Sequence, residues 1–221
     1  MYQIPTFEEF INERLFKSSI DRIKSGEARL EDSIGNLHQL QEINLSNELS
    51  FVFSDIYFNI NGELEITAND FYEIYDKIKE SGWRLMNEND LEEFQKYIGN
   101  HNKSTKYRYT SELPYDFKFD KSEFKPSPWG QNGFVFATSN KKPIITLKDK
   151  ETKNEVDFYC GAYNTSCNSE LLELTNPKNE NFYTFQLEIR TENVLFCHKI
   201  SNSYRHTDSK FLIRLIKDKK S

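Results

Sequence analysis

The residues able to do nucleophilic, acid–base or metal chemistry are few and scattered. Histidine occurs at His38, His101, His198 and His206, and cysteine at Cys160, Cys167 and Cys197. Neither set shows a His-Glu-x-x-His or paired-cysteine spacing that gathers a metal. Cys197 and His198 are adjacent, so in a strand they face opposite ways and cannot chelate one ion. Three cysteines are an odd count. In a reducing cytosol buried free thiols are the default, while a Cys160–Cys167 bond stays open as an alternative. No glycine-rich phosphate loop or nucleophile elbow is present, so no cofactor is expected. With 35 acidic residues, any two could be imagined as a glycosidase pair, and the sequence does not choose between them.

Two polar clusters could present oxygens to calcium. "NEND" at 87–90 is explained as a helix cap, and "YNTSCNSE" at 163–170 reads as a solvated loop. A metal-free recognition surface fits better. Trp129, Gln131, Asn132, Tyr163, Asn164, Tyr204 and His206 have the tyrosine- and amide-rich character of binding loops.

Those loops need a scaffold. The chain has 221 residues, 37% hydrophobic, with 18 Phe and 12 Tyr, enough for a core filled by rings. Net charge is −6, so no overall field draws the chain to nucleic acid. The basic stretch at 201–221 reads as solvated. No apolar run approaches the roughly 18 residues of a membrane span, and the opening "MYQIPTFEEFINERL" has no leader pattern.

Residues 6–24 read as an amphipathic helix. Thr6 and Glu9 form a capping box, and Phe7, Phe10, Ile11, Leu15, Ile20 and Ile23 lie on one stripe. A weaker helix is expected over 27–43. Residues 1–48 thus make a helical arm whose stripe must be buried against the rest of the chain or a partner. From 49 to 221 the pattern is α+β. "LSFVFSDIYFNINGELEI" predicts a strand pair turned at Asn61-Gly62. Next comes a helix capped by Thr67 and Asp70, with Phe71, Ile74, Tyr75 and Ile78 inward and Gly82 at its end. A second helix is capped by Asn87 with Asp90 at its third position; Leu91, Phe94 and Ile98 face inward before Gly99. Residues 100–132 read as a loop-rich insertion. Short strands follow: "GFVFAT", "PIITLKD", "EVDFYCGAY", "FYTFQLEI", "NVLFCHKI" and "FLIRLIKD". At the join of the two helices, Trp83 offers an apolar plate and Arg84 a fork for carboxylates or carbonyls.

Gly82, Trp83, Arg84, Leu85, Asn87 and Asp90 resemble the Gly-Trp-Arg-Leu-Pro-Thr segment of the Fibrobacter succinogenes major paralogous domains and related DUF1566-type domains. "NGFVFATSNKKPIITL" and the closing strands through Ile213, Arg214, Leu215, Ile216, Lys217 and Asp218 resemble later parts of that family. The resemblance spans about residues 50–218. Met86 stands in the place of the family's proline and Leu91 in that of its helix tryptophan, and of its Tyr-Trp-Ser-Ser-Thr hallmark only Thr175 has a counterpart. The resemblance implies a C-type-lectin-like fold, with Trp83, Arg84, Leu85, Asn87, Asp90 and Arg214 as structural residues. It also implies a non-enzymatic binding or structural role. Without a leader, a phage virion component is expected (head decoration, fibre or tail-associated). Its arm would meet other virion proteins or further copies of itself, and its loops a host surface glycan or protein. The alternatives are a bacterial surface adhesin or carbohydrate-binding protein, and a cytosolic enzyme of formylglycine-generating type using Cys160 or Cys167.

Overall fold

The computed structural model describes residues 36–60, 62–99, 113–119, 124–126, 134–136, 144–159, 169–173, 181–191, 194–203 and 210–220. Within these residues the architecture is α+β: two helices and a set of short, mostly antiparallel strands.

The helices form where the sequence pattern places them. Helix α1, Ala68–Glu80, begins at Thr67, whose hydroxyl accepts the Asp70 N–H. That bond satisfies one of the amides that a helix start leaves without a partner. Phe71, Ile74, Tyr75 and Ile78 are all buried. Gly82, at φ +83, turns the chain away after the last turn. Helix α2, Glu88–Ile98, carries a complete capping box. The Asn87 side chain accepts the Asn89 and Asp90 amides, and the Asp90 carboxylate accepts the Asn87 amide. Gly99 closes α2 in the left-handed region, where a side chain would be strained.

The strands form four sheets. β1 (Glu42–Ile43), β2 (Phe51–Ser54), β14 (Leu215–Asp218) and β4 (Arg84–Leu85) make one sheet in the order β1-β2-β14-β4. A five-stranded sheet runs β12 (Val194–Ser203), β11 (Asn181–Thr191), β10 (Glu170–Leu171), β13 (Lys210–Leu212) and β3 (Glu65–Thr67). β5 (Tyr115–Phe119), β8 (Ile144–Asp149) and β9 (Glu155–Tyr159) make a third sheet, and β6 (Phe124–Pro126) with β7 (Phe134–Phe136) a fourth.

Two apolar clusters hold these layers. Under α1, Phe58, Phe71, Ile74, Ile78, Trp83 and Leu85 pack with Phe211, Ile213 and Leu215. Around α2, Phe53, Phe94, Phe158 and Phe185 meet through edge-on and stacked rings at centroid distances of 5.4 to 6.2 Å. The closing segment feeds both clusters by strand alternation. Phe211, Ile213 and Leu215 join the first cluster and Ile216 the second.

Three expectations from the sequence are corrected. The strand pair at Asn61-Gly62 does not form as an extended hairpin. β2 and β3 belong to different sheets, and among the described residues only an Ile60–Glu63 bridge remains around the turn, where Gly62 has φ +82. The reason is competition: β2 pairs with β1 and β14, while Phe58 bridges Ile213 and β3 pairs with β13. The helix expected over 27–43 does not continue to its end. Residues Leu37–Gln39 form one 3-10 turn and Glu42–Ile43 is a strand. There the Asn36 side chain donates to the Tyr57 carbonyl and accepts the Asn59 amide, while Gln41 and Asp55 bond to each other. Such tertiary bonds outweigh weak helix propensity. Residues 36–48, on the arm side of the expected boundary, therefore contribute a strand and the buried Leu37 and Leu45 to the body. The stripe residues Phe7, Phe10, Ile11, Leu15, Ile20 and Ile23 lie outside the described residues. Finally, "FLIRLIKD" is two strands in two sheets, broken at Ile213-Arg214.

Candidate functional site

Arg214, at that break, is 1% exposed. Its guanidinium lies over the Tyr57 ring at 3.8 Å and near the Phe158 ring at 5.1 Å. Nη1 donates to the Ser54 carbonyl at 2.8 Å, and Nη2 donates to the Asp157 carbonyl. The two carbonyls belong to the end of β2 and the middle of β9, so one side chain joins strands from two sheets.

Tyr57 is the second member. Its hydroxyl donates to Glu170 Oε1 at 2.5 Å and accepts the Tyr159 amide at 3.0 Å. The Tyr57 and Tyr159 rings lie 5.2 Å apart. Glu170, 2% exposed, opens β10 opposite Phe185 on β11 and Leu212 on β13. Among the described residues, Glu170 Oε2, Arg214 Nε and Ser169 Oγ are buried and find no hydrogen-bond partner.

Burial pushes the Glu170 carboxyl up to about 7, because a charge taken from water is disfavoured. The nearby Arg214 charge and the Tyr57 hydroxyl pull it the other way, less strongly. Burial, then the neighbouring carboxylate, holds the Tyr57 phenol well above its ordinary value. The cluster thus contains a carboxyl, held beside Tyr57 and Arg214, whose neutral form burial favours.

A second polar group lies on the other face of the long β11–β12 hairpin. His198 Nε2 is 2.6 Å from Glu188 Oε2, and Phe196 lies against the His198 ring at 4.0 Å. Thr184, Gln186 and Glu188 are buried along this face, and β7 runs beside β11. Cys197 points to the opposite side, buried in the core around α2, as strand alternation requires. Burial raises its thiol pKa, so it stays protonated and a poor nucleophile.

The third polar group is Arg84. It grips Asp90 with Nη1 at 2.5 Å and Nη2 at 3.1 Å, and Asp218 with Nη2 at 2.5 Å. Nη1 also donates to the Leu85 carbonyl. Burial alone would lower the Arg84 pKa, but its two carboxylates outweigh that and raise it. Trp83 is 3% exposed, with the Lys217 ammonium 4.4 Å from its ring. Leu85 pairs with Leu215 and Arg84 with Ile216. The Trp-Arg-Leu stretch and the closing strand, remote in sequence, are therefore one structural unit.

Among the residues expected to form a recognition surface, Trp129, Gln131, Asn132, Tyr163, Asn164, Tyr204 and His206 all lie outside the described residues, as do Cys160 and Cys167. β10 and β13 are parallel neighbours, with Glu170 opposite Leu212. Sequence reasoning missed Tyr57 and Glu170. The available signal was a carboxylate set directly against Leu171 and Leu172, in a stretch read only against a family hallmark. Among the described residues no group of His, Cys, Asp and Glu could hold a metal ion, and no helix is long and apolar enough to cross a membrane. In the comparisons with known proteins, no family model, curated protein or solved structure matches this chain.

Proposed function

We propose that this protein is a non-enzymatic binding module of C-type-lectin-like architecture, acting as a phage virion component that presents its loops to a host surface glycan or protein. The observation that carries the binding reading is the parallel β10–β13 pairing. In chain order Tyr163 and Asn164 precede β10, and Tyr204 and His206 precede β13. Aromatic faces stack on sugar rings and amides bond hydroxyls, so this composition suits carbohydrate. The lectin-like architecture is supported by the pairing of Arg84–Leu85 with Leu215–Asp218, since both halves of the family resemblance meet there. The virion setting rests on that resemblance. In that setting the amino-terminal arm, through Phe7, Phe10, Ile11, Leu15, Ile20 and Ile23, would dock the body to other virion proteins or to further copies of the chain.

The test is binding of the purified full chain to a glycan array and to bacterial cells. Tyr163→Ala, Asn164→Ala, Tyr204→Ala and Trp129→Ala are compared with the parent, with melting curves as folding controls. Binding lost in at least two folded variants supports the reading. Absence of binding to any glycan or cell, or binding indifferent to all four substitutions, overturns it. Mass spectrometry of purified phage particles tests the virion setting separately.

A further inference from the structure

We draw no further inference here: the strongest candidate, the polar face of the β11–β12 hairpin where His198 meets Glu188 beside the buried Thr184 and Gln186, carries nothing because the structure does not show what segment or ligand covers that face.

Discussion

Arg84 grips two carboxylates that differ sharply in burial, which allows a prediction about which grip matters. The Asp90 side chain is 7% exposed and the Asp218 side chain 70%. The pair with Asp90 is bidentate, and Asp90 also accepts the Asn87 amide at the start of α2. Charge-assisted bonds away from solvent contribute about 1.5–3 kcal/mol, whereas exposed ion pairs contribute about 0–1 kcal/mol. In a double-mutant cycle of Arg84→Met with Asp90→Asn, the coupling should be about 2 kcal/mol; with Asp218→Asn it should stay below about 1 kcal/mol. Arg84→Met keeps the apolar stem, so its total cost, about 3 kcal/mol, comes from lost polar bonds and from leaving Asp90 less well paired. For a chain of this size that corresponds to a fall in Tm of roughly 10 °C. Urea unfolding of the four chains of each cycle gives both couplings. Raising salt should erase the Asp218 coupling and spare that of Asp90. An Asp218 coupling equal to or larger than that of Asp90 would refute the reasoning, as would an Arg84→Met chain as stable as the parent.

Other expectations follow from the same structure. A chain beginning at residue 36 should unfold cooperatively near the parental Tm. One beginning at residue 46 should be strongly destabilised, because it lacks β1 and the buried Leu37 and Leu45; calorimetry compares them. Gly99→Ala should cost about 1 kcal/mol in urea unfolding, from its φ of +87 rather than from crowding, since the nearest side-chain atom would sit at an ordinary 3.5 Å. Alkylation mapped by mass spectrometry should leave Cys197 unmodified in the native protein and label it only in denaturant. Rapid native labelling of Cys197 would contradict its place in the core. Phe94→Ala, removing a fully buried ring that contacts Phe53, Tyr97, Phe158 and Phe185, should cost about 3–5 kcal/mol.

Much of the local structure was legible because its causes are local. The caps of both helices, their inward faces and the glycines after them were readable from residues within one or two turns of each other. The opposite orientation of Cys197 and His198 followed from strand alternation alone. Arg84 was readable as a fork for carboxylates, and Asp90 as a cap; that they hold one another was not. Tyr57 and Glu170 were invisible as a pair because 113 positions separate them, and neither belongs to a motif. Their chemistry comes from burial, which a sequence does not state.

By itself the sequence determined the two helices, their ends and the apolar stripes that had to be covered, because capping and periodicity act over a few residues. Only the tertiary structure decided which strands became neighbours. It separated β2 from β3, broke the closing strand at Arg214 and drew Glu42–Ile43 into a sheet. Strand pairing is a contest among distant partners of similar local propensity. Its outcome depends on which arrangement buries the aromatic rings while giving the Arg214 guanidinium and the Glu170 carboxyl their hydrogen bonds.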